Sequence, residues 1–212
     1  MNIWLPERSS AVPTHVDRLR FGLFTLVPWL GLYSIVAALG VPLNAIELRL
    51  PFERRLPVTQ WTEIIYISDY FAVPLVAAFV RSQRVLRIFM VQVWVAMAIA
   101  FPLYVIVPVR APRPAYVPIT TLGHLLSWER STYPPVAAFP SFHVIWAILV
   151  AETFADRGKA TLWIARMWAA AVAVSCLTTG MHSIADVVAG FVVAWLALNC
   201  ERIMESLRRA RA

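Results

Sequence analysis

The chain has 212 residues, 60% of them hydrophobic and only 15% charged, where ordinary globular domains carry about a quarter charged residues. That balance excludes a soluble globular enzyme. A net charge of +7 would suit a nucleic-acid binder, but nine tryptophans and long uncharged runs assign the positive charge to the loops of a membrane protein instead.

Residues 1–20 are polar and carry Arg8, Arg18 and Arg20. Residues 21–40 contain no charge and are long enough to cross a bilayer. A cleaved signal peptide has a shorter apolar core and a shorter flank, so this run reads as a retained span. A polar connection, 41–61, contains Leu50-Pro51-Phe52. The second apolar run, about 62–80, carries Glu63 and Asp69, and a basic loop with Arg81, Arg84 and Arg87 follows. Residues 88–109 are uncharged throughout. The connection 109–139 holds Pro112, Pro114, Pro118, Pro134 and Pro135, which argue against one long helix. Within it, Ile119–Trp128 reads as a re-entrant or interfacial stretch. A fourth run extends from 140 to 156 and a hydrophilic turn from Asp156 to Lys159. The fifth run, 161–178, is interrupted by Arg166, and the sixth is 183–200. The tail is basic and reads as helical.

These runs predict an all-α polytopic membrane protein: a six-transmembrane-helix bundle, formed by a single catalytic domain over 1–212. It has a short N-terminal segment (1–20) and a basic tail (201–212). With six spans, alternate loops lie on opposite sides. Twelve of the nineteen Lys and Arg then share a side with the termini, six lie on the other, and Arg166 is inside a span. The excess of basic residues on the cytoplasmic side places both termini there and the site residues below at the opposite, periplasmic face of an inner membrane. Glu152 and Arg166 flank the 156–159 turn at similar depth and are expected to pair, since each is costly alone in lipid. Cys176 and Cys200 lie near opposite ends of different runs, so they form no disulfide framework and supply too few ligands for zinc.

The chemistry-bearing residues cluster at the starts of apolar runs. His143 opens the fourth, and His182 and Asp186, four apart and so on one face if helical, open the sixth. A histidine in hydrocarbon needs an interface, a wet cavity or a polar partner. Asp186 can fix the His182 imidazole tautomer and stabilise its positive form, leaving the opposite nitrogen free to attack an electrophile. His143 can give a proton to a leaving oxygen. Arg110 and Arg113 offer forked donors suited to phosphate. Together these residues suit phosphoryl transfer with no metal and no cofactor, on a phosphorylated lipid among membrane lipids, with no nucleic-acid partner. Asp69 and His124 are candidate head-group contacts. A lipid transporter gripping phosphate through Arg110 and Arg113, or a non-catalytic scaffold, would give no reason for His143, His182 and Asp186 together.

Pro140-Ser141-Phe142-His143 and His182-x-x-x-Asp186, followed by Val-Val-Ala-Gly, resemble the second and third motifs of the type 2 phosphatidic acid phosphatase superfamily. Arg113-Pro114 matches the end of its first motif, while the lysine of that motif falls on Ile106 and the arginine of the third motif on Cys176. Leu50-Pro51-Phe52, Pro108 to Arg113 and Phe139 to His143 are more similar to the branch that holds inositol-phosphoceramide synthases. The resemblance implies His182 as nucleophile, Asp186 as its partner, His143 as acid and base, and phosphate binding by Arg110, Arg113 and Ser141. It implies a lipid phosphatase working through a phosphohistidine, or a lipid phosphotransferase that passes a phosphoryl-linked group to an alcohol.

Overall fold

A computed structural model of the protein describes residues 11–203. Over these residues the fold is all-α, with helices α1 (His15–Phe21), α2 (Val27–Leu39), α3 (Glu63–Phe79), α4 (Gln83–Ile106), α5 (Thr121–Thr132), α6 (Phe142–Glu152), α7 (Lys159–Thr178) and α8 (Ile184–Leu198). A π turn, Gly22–Leu26, joins α1 to α2 without a break. Pro28, which has no N–H to give to the preceding turn, enters α2 directly after it.

Four helical stretches are long and apolar enough to cross a membrane: His15–Leu39, Gln60–Phe79, Gln83–Ile106 and Lys159–Thr178. The six-span expectation is therefore corrected to four. The fourth and sixth apolar runs form α6, of 11 residues, and α8, of 15. At 1.5 Å per residue these reach about 16 and 22 Å, short of a hydrocarbon core of about 30 Å. Burial explains α6: Val144, Ile145, Ala147 and Leu149 are fully buried, so it is apolar on every side because protein surrounds it. It packs against α3, α4, α7 and α8. The cytoplasmic placement of both termini rested on six alternating spans and falls with them. Arg8 and the tail arginines Arg208, Arg209 and Arg211 lie outside the described residues; of the expected helical tail, residues 201–203 are described and are helical.

Two smaller features also differ from the sequence reading. Arg84 and Arg87 belong to the first turns of α4 rather than to a loop. Ile119–Trp128 contributes most of α5, a short helix capped by Thr120, whose hydroxyl accepts from the Gly123 N–H at 2.9 Å. It packs on α3. The outward faces of the long helices carry Leu30, Phe71, Leu75, Trp94, Trp163 and Ile164, all exposed in the isolated chain, as lipid contact requires.

Glu152 and Arg166 meet as a forked pair, Nε to Oε1 at 2.7 Å and Nη2 to Oε2 at 3.1 Å. They sit where α6 and α7 approach the 155–157 turn. Arg157 donates to the Phe79 carbonyl, so this turn and the α3–α4 junction share one end of the bundle. The starts of α6 and α8 lie at the other end.

Candidate active site

Local backbone chemistry fixes both motif segments. Ser141 caps α6, its hydroxyl accepting from the Val144 N–H, and its own N–H donates to the Asp186 carbonyl at 2.9 Å. His143 thus leaves the first turn of a helix whose start is tied to α8. The Tyr104 hydroxyl donates to the Pro140 carbonyl at 2.9 Å and holds the approach to that turn.

The segment between α7 and α8 turns at Gly180, whose φ is +65°. A Cβ there would lie 2.6 Å from Pro114 Cδ, so only glycine serves. The Gly180 carbonyl accepts from the Arg113 N–H at 2.9 Å, bringing the 109–114 segment alongside. The Cys176 carbonyl receives the Met181 and His182 N–H groups, at 3.2 and 3.0 Å. Ser183 and Asp186 then form a reciprocal cap on α8. A further cap comes from the 41–61 connection. Buried Glu53 accepts the Ile184 N–H at 2.7 Å through one oxygen and the Leu50 N–H at 2.6 Å through the other.

His182 and His143 face each other with ring centroids 5.8 Å apart. His182 Nδ1 lies 3.1 Å from the Ala138 carbonyl and 3.7 Å from Asp186 Oδ2. A carbonyl only accepts, so Nδ1 carries the proton and Nε2 keeps its lone pair. The carbonyl is the closer partner. Asp186 Oδ2 is already engaged by the Ser183 N–H at 2.7 Å, and the aspartate adds charge from behind the ring.

The His143 ring packs at a tilt of 38° against Tyr66, centroids 4.1 Å apart, with Tyr70 edge-on at 5.1 Å. Its Nδ1 faces Asp69 Oδ2 at 3.3 Å, and its Nε2 lies 3.5 Å from the Tyr70 hydroxyl. That hydroxyl donates to Glu129 Oε1 at 2.6 Å.

A cavity of about 370 Å³ opens in front of both imidazoles. Asp69, Arg113, Glu129, Tyr70 and Tyr133 supply polar groups to its wall, and Trp29, Leu30, Val73 and Phe101 apolar ones. Arg113 is half-buried and donates to the carbonyls of Arg130 (2.8 Å), Tyr133 (2.8 Å) and Pro134 (3.2 Å). An arginine has five N–H groups, so among the described residues its buried Nε–H and one Nη2–H are left without a partner. Burial lowers the guanidinium's pKa, while Tyr66, Tyr33 and Glu129 act in the other direction, and the group stays charged. Arg130 is held by the carbonyls of Pro114, at 2.8 Å, and Thr179, with its guanidinium over the Tyr116 ring.

The structure thus brings together His143, His182, Asp186, Arg113 and Asp69. Arg110, Ser141 and His124 do not reach the cavity wall. Arg110 is exposed, with its backbone N–H on the Ile46 carbonyl. Ser141 is a buried cap, and His124 is exposed on α5. Cys176, at the position of the absent motif arginine, is fully buried 3.9 Å from Ser141 Oγ and turned away from the cavity. Sequence reasoning missed Tyr66, Tyr70, Glu129 and Glu53. For Tyr66, three residues before Asp69, the available signal was helical spacing, and Tyr70 lies four residues after Tyr66. Among the described residues no cluster of three or more His, Cys, Asp or Glu side chains is placed to hold a metal ion.

A family model described as the PAP2 superfamily matches residues 30–200. Neither curated proteins nor solved structures gave a significant match.

Proposed function

The chain belongs to the PAP2 superfamily, and from that premise we propose that it is a membrane lipid phosphatase acting through a phosphohistidine on His182. Membership supports phosphatase- or phosphotransferase-type activity in general. The observation that carries the finer reading is the pair of imidazoles, ring centroids 5.8 Å apart, that line one cavity together with Arg113 and apolar side chains.

The lipid's phosphate enters the cavity and meets the guanidinium of Arg113 on its wall. Its tail lies toward Trp29, Leu30 and Phe101. His182 Nε2 attacks phosphorus as the ester P–O bond breaks, and His143 Nε2–H gives its proton to the departing oxygen. Positive charge on the His182 ring is met by the Ala138 carbonyl and the Asp186 carboxylate. Water then attacks phosphorus, His143 takes its proton, and phosphate leaves. Positioning and charge do most of the work.

A second reading is phosphotransfer to an alcohol. The hydroxyls of Tyr33, Tyr70 and Tyr133 around the same cavity favour it, since they offer hydrogen bonds to a polar acceptor. Resemblance to the inositol-phosphoceramide-synthase branch points the same way. The two readings separate with purified protein in lipid vesicles, given phosphorylated lipids with and without inositol, glycerol or a lipid alcohol. Free phosphate from donor alone supports hydrolysis; a new phosphodiester lipid in its place supports transfer.

We further propose that 1–212 acts as one catalytic domain in a bacterial inner membrane with its site toward the periplasm. Arg81, Arg84, Arg87, Arg157 and Lys159 gather at the end of the bundle away from the site, where cytoplasmic lipid head groups would meet them.

A further inference from the structure

From the sequence Asp69 is a candidate head-group contact or the partner of a buried tyrosine or arginine. It sits mid-helix in α3 with 1% of its surface exposed, and its Oδ1 has no hydrogen-bond partner among the described residues. A lone buried carboxylate at this depth is costly unless it serves a site. Its one ion-pair contact is His143 Nδ1, at 3.3 Å. Among the described residues His143 Nδ1 makes no hydrogen bond, so the contact is an ion-pair approach, and Asp69 is the carboxylate that faces it.

The other groups around His143 are differently engaged. Tyr66 offers its ring face, and Tyr70 gives its proton to Glu129, so Glu129 reaches His143 only through that hydroxyl. Arg113 is held by three carbonyls. His182 is oriented by Ala138. Asp186 has one oxygen committed to the cap of α8, whereas among the described residues Asp69 Oδ1 has no hydrogen-bond partner and Oδ2 faces His143.

We infer that Asp69 is the positioning residue for His143, forming a second histidine–aspartate dyad opposite His182–Asp186. This deepens the phosphatase reading and rests on it. Asp69 holds the ring with Nδ1 toward α3 and Nε2 toward the cavity, and it stabilises the imidazolium from which the leaving oxygen draws its proton. In that step the His182 Nε2–phosphorus bond forms and the ester P–O bond breaks. The P–O electron pair goes to the departing oxygen, the proton passes from His143 Nε2 to it, and Asp69 remains ionised.

The test exploits the leaving group. A long-chain alkyl phosphate releases an alkoxide that needs a proton; a nitrophenyl phosphate releases an anion that does not. Single-turnover release of alcohol or nitrophenol isolates this step from hydrolysis of the phosphoenzyme. Asp69→Asn is expected to slow alkyl release about 100-fold and nitrophenol release less than about threefold, the selectivity expected for loss of general-acid assistance. His143→Ala should show the same selectivity, and the double variant little further loss. Asp69→Glu should recover part of the alkyl rate, and it carries the test should Asp69→Asn not accumulate folded. Equal slowing on both esters would overturn the assignment of Asp69 and leave the phosphatase reading standing. A wild-type protein inert to both esters would overturn that reading and this inference with it.

Discussion

The Ser141 N–H donates to the Asp186 carbonyl at 2.9 Å, so the first turns of α6 and α8 are one joined unit. His143 and the His182–Asp186 pair owe their mutual distance to this bond and to the close packing beside it. Gly190 permits the packing: a Cβ at that position would stand 2.8 Å from the Ser141 carbonyl oxygen and 3.0 Å from Val144 Cβ.

Gly190→Ala should therefore push α8 away from α6. The added methyl meets backbone, which cannot swing aside. We expect a loss of about 1–3 kcal/mol in stability, typical of overpacking, together with at least a tenfold fall in activity. Thermal unfolding and turnover in the same detergent check both; an active, equally stable variant would refute the coupling.

Glu53→Gln tests the second clamp on the His182 turn. Both carboxylate oxygens accept a backbone N–H, from Leu50 and from Ile184. An amide keeps one acceptor and turns an NH2 group toward the other donor. The expected cost is about 1–2 kcal/mol, with slower turnover and nearly unchanged KM. Unchanged thermal unfolding would mean that the cap carries no weight.

Much of this arrangement was legible in the sequence. His143 and Asp186 stand in the first turns of α6 and α8 behind the caps Ser141 and Ser183, and His182 stands directly before the second cap, a local property. The uncharged run 88–109 gave α4, and the apolar run 161–178, broken only by Arg166, gave α7. The short helices were not legible as such: the apolar residues of α6 answer to protein on every side, and hydropathy reads burial in protein and burial in lipid alike. Glu53, Tyr70 and Glu129 were missed because their partners come from distant segments. Asp69 was noticed, but pairing it with His143 needs the register of α3 against α6. Arg110 and Arg113 look equivalent in a proline-rich loop, and only the fold separates the exposed one from the one on the cavity wall.

That separation gives a third prediction. Arg113→Lys should raise KM and cut kcat/KM at least tenfold, because an ammonium cannot hold three carbonyls and still offer a fork to phosphate. Arg110→Ala should change kcat/KM less than about threefold, as for a side chain outside the cavity. The reverse ranking in steady-state kinetics would exchange their roles.

The Glu152–Arg166 pair lies far from the site and should be silent in activity. Its side chains are 26% and 46% exposed in the isolated chain, so a double-mutant cycle with Gln at each position should give a coupling of only about 0.5–1 kcal/mol. Additive losses in thermal unfolding would deny the pair any stabilising role.

The nucleophile is tested most directly by trapping. Wild-type protein given a phosphate-labelled lipid and quenched in alkali should carry label on a histidine, stable to base and lost in acid. His182→Ala should carry none, while His143→Ala should still take up label from a nitrophenyl ester, since His143 is the proton donor and not the attacking atom. Label retained in His182→Ala, or found on another residue, would contradict the assignment of His182 and the mechanism built on it.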